Sequence, residues 1–405
     1  MSGPDPAQLL TAGAFPDAPE LDARARLARF LAECWRRRSC LLPGALGDLE
    51  VPLDGDELAG LACEPDADAR IVRREGDRWI LESGPFEPDR FEILGDRDWT
   101  LLVNGVDLFL PGLEPLLERI RFVPDWRLDD VMVSFAAPGG SVGPHFDRYD
   151  VFLLQAEGVR RWELGAEPDG DARPRGDQGG LRLVRDFVPE RIERCGPGDA
   201  LYVPPGVVHH GVAETPCLTL SLGLRAPSVG DLAAAFARAL AELGDGAPLD
   251  LDPALPTDPA RLDAATVDRA RTALRDALAA ALDDEAGFEA WLGAALTRPG
   301  RAEFLEPVDP LTPEALRRAL AAGARLERAP GLRLVLQPVA DGTALFAGGR
   351  RFHSALAPEA LASFTHLAPL GPVALADPAA LRLAHALYTA GRLELLDDDG
   401  EPAAP

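Results

Sequence analysis

Lysine is missing altogether: the chain has 405 residues, and its 41 basic side chains are all arginine. That excludes Schiff-base chemistry with pyridoxal phosphate and a Walker-type phosphate loop, both of which need the amine. Any anionic ligand must be held by arginine, hydroxyls or backbone amides. Cysteine is scarce and scattered, with Cys34, Cys40, Cys63, Cys195 and Cys217 forming an odd set without a Cys-x-x-Cys pair. Neither a disulfide framework nor a zinc site is expected, and the five are read as reduced, mostly buried thiols. No apolar run approaches the length of a membrane span, and Met1-Ser2-Gly3-Pro4-Asp5 lacks the basic-then-apolar pattern of a signal peptide, so no membrane is expected and the expected location is cytoplasmic. Positive charge is in deficit, 41 basic residues facing 66 acidic ones for a net charge of −25. Such a field opposes direct nucleic-acid binding and favours encounter with a basic protein, although solubility alone also accounts for it.

Histidine is scarce too, and its placement is informative. Of six in the chain, His145, His209 and His210 fall in two short segments. The first contains His145-Phe146-Asp147 after a Gly-rich turn, and the second is Tyr202-Val203-Pro204-Pro205-Gly206-Val207-Val208-His209. Two imidazoles and a carboxylate suit iron(II), which accepts nitrogen and oxygen donors and prefers six ligands. Three protein ligands on one face leave three positions for a bidentate cosubstrate and dioxygen. In an extended segment His145 and Asp147 point to the same side, because side chains repeat with period two, while His210 points away from the side that His209 uses. A lone His-x-Asp is weak, and two polar residues at a strand end is the ordinary alternative; the Pro-Pro-Gly turn and the downstream histidine favour the metal site. His353, His366 and His385 lie far downstream and are read as structural or exposed.

Along the chain, residues 22–39 read as a helix ending in Trp35-Arg36-Arg37-Arg38, followed by the apolar Cys40-Leu41-Leu42. Residues 50–130 mix patterns, helical at 56–61 and extended at 78–82 and 99–103. Short apolar segments at 131–136, 151–155, 160–164, 181–187, 200–203 and 217–224, separated by Gly, Pro and Asp, suggest a jelly-roll barrel. After Arg225-Ala226-Pro227 the composition turns to Ala and Leu with helical spacing. Asp231 is read as the cap of a helix stopping at Gly244, and a second helix carries Leu274, Leu278 and Leu282 at intervals of four. The Pro-rich stretch 247–259 links them, and their apolar faces suit a core or a dimer seam. From about residue 301, Thr312-Pro313-Glu314 opens a helix ended by Gly323, extended runs follow at 332–337 and 343–346, and Asp377-Pro378 opens a helix ended by Gly391 before the strand 392–396. Helices alternating with a small hairpin resemble a winged helix. Lacking a basic stripe, it is read as a protein-contact module. The expected fold class is α+β, divided into 1–226, 227–300 and 301–405.

The run Asp125 to Phe135, continuing through Pro138-Gly139-Gly140-Ser141-Val142-Gly143-Pro144-His145-Phe146-Asp147-Arg148-Tyr149-Asp150, resembles the bacterial ribosomal oxygenases. The likeness extends to Ser83-Gly84-Pro85-Phe86-Glu87, to Arg160-Arg161-Trp162, to the segment 197–206 and to Gly223-Leu224-Arg225-Ala226-Pro227. It covers roughly residues 25–235 in motif and the remainder in order. These proteins are JmjC-type cupins with a double-stranded β-helix, a helical dimerisation segment and a C-terminal winged helix. The resemblance implies iron(II), 2-oxoglutarate and dioxygen, with His145, Asp147 and His209 as metal ligands. It also implies Arg160 on the distal carboxylate of 2-oxoglutarate and Ser134 lining the same pocket. A bidentate guanidinium suits a carboxylate, although the residues alone leave a surface strand position equally open for Arg160. The implied activity is hydroxylation of the β-carbon (C3) of an arginine in a basic ribosomal protein, number sixteen of the large subunit, by a homodimer. A histidyl hydroxylase with the same chemistry, or a non-catalytic cupin that binds ribosomal proteins, are the alternatives.

Overall fold

The structure is a computed structural model, and it describes residues 9–47, 50–166, 181–243, 260, 262–298 and 310–397. Within the first 226 residues its strands are β1 (Cys40–Leu42), β2 (Asp68–Glu75), β3 (Arg78–Ser83), β4 (Trp99–Asn104), β5 (Leu128–Ala136), β6 (Asp150–Glu157), β7 (Arg160–Gly165), β8 (Arg191–Cys195), β9 (Ala200–Val203), β10 (Val208–Ala213) and β11 (Cys217–Leu224). A large antiparallel sheet runs β1-β9-β6-β11-β5-β4-β2-β3, and a small one runs β10-β7-β8. The two face each other as a barrel. Strand β11 shows why: Leu218, Leu220, Leu222 and Leu224 join Phe30, Phe152 and Tyr202 in the core outside the large sheet. Its alternate residues Cys217, Thr219 and Ser221 point the other way, and all eight positions are buried. Between the sheets lies a second cluster of Val151, Leu153, Trp162, Leu164, Cys195, Leu201 and Val203, drawn from both walls.

Several expectations need correction. The segment 181–187 is not a strand: Leu183 packs with Val72 and Trp79 instead of entering a ladder, and Asp186 takes a left-handed φ of 51°. The third strand of the small sheet is β8, whose Arg-Ile-Glu-Arg-Cys sequence carries little apolar signal. The first helix, capped by Asp22, spans Ala23–Glu33 and stops well short of residue 39. Nor are all five cysteines reduced: Cys34 and Cys40 form a disulfide, while Cys63, Cys195 and Cys217 are free. Counting cysteines missed this because the pair is local; the helix end and β1 bring the two Cα atoms to 6.2 Å. Within the loop so closed, Trp35 stacks on Tyr202, and the Arg36 N–H donates to the Tyr202 hydroxyl, which donates in turn to Asp150.

Beyond the barrel, helices span Val229–Leu243, Ala264–Asp283 and Glu285–Leu296. Ser228, not Asp231, caps the first of these: its hydroxyl accepts from the Asp231 N–H, and the Asp231 carboxylate accepts from the Ser228 N–H. Gly244 and the Pro-rich linker 247–259 lie outside the described residues. Leu274, Leu278 and Leu282 form no core; they are 66, 40 and 51% exposed. No described helix is long and apolar enough to cross a membrane.

The C-terminal unit builds its own core from helices Pro313–Ala321 and Pro378–Thr389 with β12 (Arg325–Arg328), β13 (Leu334–Val339), β14 (Gly342–Ala347), β15 (Arg350–Ser354) and β16 (Leu393–Leu396). Thr312 and Asp377 cap the helices, as their position before Pro predicts. Strands pair as β12-β16 and β13-β14-β15. The unit locks onto the barrel through buried charge: Arg328 pairs with Asp125 and Arg333 with Asp107, each at 3.1 Å, and the Leu367 N–H donates to Glu118 at 2.7 Å.

Candidate metal and cosubstrate site

The segment holding His145 and Asp147 is not a regular strand. His145 instead forms an isolated antiparallel bridge to His209 on β10, which adds a fourth line of chain to the small sheet. The Pro204-Pro205-Gly206 turn closes the arrangement: the Gly206 N–H donates to the Asp147 carbonyl at 2.8 Å, and Gly206 itself has a φ of 84°, a conformation that favours glycine. Ligand atoms of His145, Asp147 and His209 lie within 4.8 Å of one another. His209 Nε2 is 3.6 Å from Asp147 Oδ2.

Each imidazole is aimed by a backbone carbonyl. His145 Nδ1 bonds the Gly143 carbonyl at 2.9 Å, and His209 Nδ1 bonds that of Val207 at 3.1 Å. A carbonyl can only accept, so both rings carry their proton on Nδ1 and leave the Nε2 lone pair for a metal. Burial, reinforced by the neighbouring His145, lowers the pKa of His209 and keeps it neutral. His210 faces the other side of the sheet, where its Nδ1 meets Glu163 Oε2 at 2.9 Å. Burial is also the largest influence lowering the pKa of His210, against the pull of Glu163.

Arg160 lies on the inner face of β7 and is 6% exposed. It is not a surface residue. Its Nη1 donates to the Ser134 hydroxyl at 3.3 Å, but Nε and Nη2 are buried without a hydrogen-bond partner among the described residues. An unmet buried donor costs roughly 1–3 kcal/mol, more for a charged group, so two such donors on one edge mark a place made for an anion. Arg161 points outward and pairs with Glu163. Cys195, opposite Arg160 in the β7–β8 register, is a neutral thiol that burial pushes up to about 12. The donor set fits the expected groups: two imidazoles with Nε2 turned to the cluster and a carboxylate for iron(II), and an open guanidinium edge for the distal carboxylate of 2-oxoglutarate.

His353, His366 and His385 stand apart from this site. His353 pairs with Asp341, His366 Nδ1 is 3.9 Å from Glu118, and His385 bonds the Leu311 carbonyl. The sequence reading missed Gln155, Thr219 and Trp162, all buried on the barrel's inner side. Thr219 and Gln155 are polar residues at inward positions of otherwise apolar strands, and Trp162 follows Arg160 by two; period-two counting would have found all three.

A barrel of one large and one small sheet, with this ligand set on the small sheet and a buried arginine beside it, defines the JmjC class of cupins. Family models agree: a JmjC domain matches residues 115–232 and a ROXA-like winged helix matches residues 280–399. The chain is 34% identical to the ribosomal protein uL16 3-hydroxylase of Escherichia coli over 367 residues, covering 89% of this chain and 95% of that protein. A probable ribosomal oxygenase of Haemophilus influenzae is 36% identical over half of each chain. The solved structure of the E. coli ribosomal oxygenase YcfD with cobalt and 2-oxoglutarate matches with a TM-score of 0.76 and 32% identity, over 91% of this chain and 98% of that one. The chain belongs to the bacterial ribosomal oxygenase family.

Proposed function

We propose that this protein is an iron(II)- and 2-oxoglutarate-dependent oxygenase that hydroxylates C3 of an arginine in ribosomal protein uL16. The carrying observation is the pairing of a convergent His145-Asp147-His209 cluster with a buried Arg160 whose Nε and Nη2 have no partner among the described residues. The relatives support the chemistry: E. coli YcfD has been solved with cobalt and 2-oxoglutarate and with cobalt and succinic acid. Bound iron(II), with 2-oxoglutarate and dioxygen, supplies the oxidation of an unactivated C–H bond while the cosubstrate is decarboxylated to succinate.

The chain's own residues do the rest. His145, Asp147 and His209 would hold the metal on one face, Arg160 would anchor the distal carboxylate of 2-oxoglutarate, and Ser134 would line that subsite. The buried inner face of β7 excludes water around Arg160, which strengthens its hold on an anion. A net charge of −25 favours encounter with a basic ribosomal protein over nucleic acid. We assign the catalytic barrel to residues 1–226, a helical segment to 227–300 and the winged-helix unit to 301–405. The exposed Leu274, Leu278 and Leu282 support a homodimer seam on the second of these. A cytoplasmic location accords with a ribosomal substrate.

The test is incubation with iron(II), 2-oxoglutarate and a panel of peptides and whole proteins from the large ribosomal subunit, read by mass spectrometry. Addition of one oxygen to an arginine of uL16 is the expected result. Oxygen on a histidine of another protein would replace the substrate, and no turnover with any member would leave a binding protein.

A further inference from the structure

We propose that Gln155 is a positioning residue for the cosubstrate subsite, acting on Arg160 through Thr219 and Ser134. The inference rests on the reading that Arg160 binds 2-oxoglutarate. Gln155 is wholly buried on β6, and its neighbours across the large sheet are Thr219 on β11 and, one strand further, Ser134 on β5. These three residues form a polar row on the barrel's inner wall, on the side that Arg160 meets.

The hydrogen bonds within the row run in one direction. The Gln155 amide group donates to the Glu157 carbonyl at 2.7 Å and to the Leu218 carbonyl at 3.2 Å. Both acceptors are carbonyls, so the amide cannot be turned round, and its oxygen must face Thr219. The Thr219 hydroxyl donates to that oxygen at 3.1 Å. Gln155 therefore grips β11 at two successive residues, Leu218 and Thr219, where the β6–β11 register shifts and the ladder alone holds the strand less firmly. The next contact starts from the same residue: Ser134 Oγ donates to the Thr219 carbonyl at 3.4 Å and accepts from Arg160 Nη1 at 3.3 Å.

The effect is to fix one edge of the guanidinium and leave the other open. Arg160 Nη1 is held against Ser134, whose hydroxyl is held by the Thr219 carbonyl, whose place is set by Gln155. The unpartnered Nε and Nη2 are then presented together, as a carboxylate requires for two parallel bonds. Without Gln155, β11 relaxes at its bulge, the Ser134 anchor shifts, and the guanidinium samples orientations that offer one bond in place of two. Gln155 touches neither metal nor reacting carbon, so its loss weakens cosubstrate binding and leaves the chemical step intact once the site is filled.

The experiment is anaerobic calorimetry of 2-oxoglutarate binding to the full-length protein loaded with manganese(II), alongside steady-state kinetics with iron(II). Gln155→Leu and Thr219→Val are each expected to weaken 2-oxoglutarate binding about tenfold, the equivalent of one such hydrogen bond, and to raise its KM similarly. Maximal turnover should stay within about twofold of wild type. Thr219→Ser, which keeps the hydroxyl, should bind as wild type does, and manganese(II) affinity should be the same in all variants. If Gln155→Leu fails to fold, Thr219→Val against Thr219→Ser carries the test. Wild-type affinity in folded Gln155→Leu or Thr219→Val, while Arg160→Ala has lost binding, would overturn the relay and leave the subsite assignment standing. Binding by Arg160→Ala equal to wild type would overturn both.

Discussion

His145 and His209 face each other directly across the small sheet, exchanging both backbone hydrogen bonds at 3.1 and 2.8 Å, with ring centroids 4.3 Å apart. Two imidazoles from distant parts of the chain are thus brought together by one isolated bridge at the edge of the small sheet. Asp147, two residues on, is tied by the Gly206 N–H to the turn that leads into β10.

His145→Ala removes one of three converging donors and should abolish both metal binding and hydroxylation. His210→Ala, altering a residue on the opposite face that meets Glu163, should retain much of the activity. Metal content by elemental analysis and oxygen incorporation by mass spectrometry check both. Inactive His210→Ala beside active His145→Ala would reassign the ligand.

Arg160→Ala should raise the 2-oxoglutarate requirement by roughly 30- to 150-fold, the loss of a charge-assisted pair worth about 2–3 kcal/mol. Arg160→Lys should recover only part of it, since an ammonium is a point charge and cannot present two parallel donors. Titration of turnover against 2-oxoglutarate measures each, and an unchanged requirement in Arg160→Ala removes the assignment.

The Cys34–Cys40 disulfide closes a short loop against Tyr202. Breaking it by Cys34→Ser/Cys40→Ser should lower stability by about 2 kcal/mol, the loop-closure value for so short a separation. Denaturant titrations of oxidised protein and double variant give the difference directly; identical midpoints would show that the bond does not contribute to stability.

Glu114 provides the pH dependence. Burial first, then the nearby Glu327 carboxylate, raises its pKa from the usual 4.5 to about 7. The folded protein thus binds this proton more tightly than the unfolded chain does. Its favourable contribution is complete below about 4.5 and is lost as pH rises through about 7. Glu114→Gln should therefore stabilise the protein at pH 8 by about 1–3 kcal/mol and have no such effect near pH 4.5. Thermal melts at the two pH values test the sign, and a larger gain at the acid end would contradict it.

On the proposed homodimer seam, Leu278→Glu with Leu274→Glu should give a monomer in sedimentation without changing helix content, because both leucines are already exposed within one chain. A monomeric wild type would remove the seam.

The convergence of the candidate site was legible because coordination chemistry restricts residue types. Few side chains can ligate iron(II), and His145, Asp147 and His209 stand out in a chain with so few histidines. The helix starts at Thr312 and Asp377 were legible because a cap followed by proline is a local signal. Features set by tertiary contacts were not. Strand β8 alternates charge with a single exposed isoleucine, so only its partner β7 makes it a strand, whereas Leu181 and Leu183 resemble a strand and pack as a loop. Cys34 and Cys40 resembled unrelated thiols because their approach depends on where the helix stops. Arg160 reads equally as inward or outward from its sequence, and its contact with Ser134 on the facing sheet settles the side.

Asp125 stands at the mouth of β5, yet its Oδ2 accepts from Arg328 and from the Leu334 N–H, both in the C-terminal unit. Asp107 likewise accepts from Arg333 across that seam, and Glu118, which also meets Arg121 on its own side, accepts there from the Leu367 N–H. A barrel shortened by the removal of residues 301–405 would lose Arg328 and Arg333, the guanidinium partners of Asp125 and Asp107, together with the Leu367 N–H that donates to Glu118. The tail therefore supplies counter-charge to the barrel's flank, and deleting it should lower the stability of the barrel as well as remove a unit.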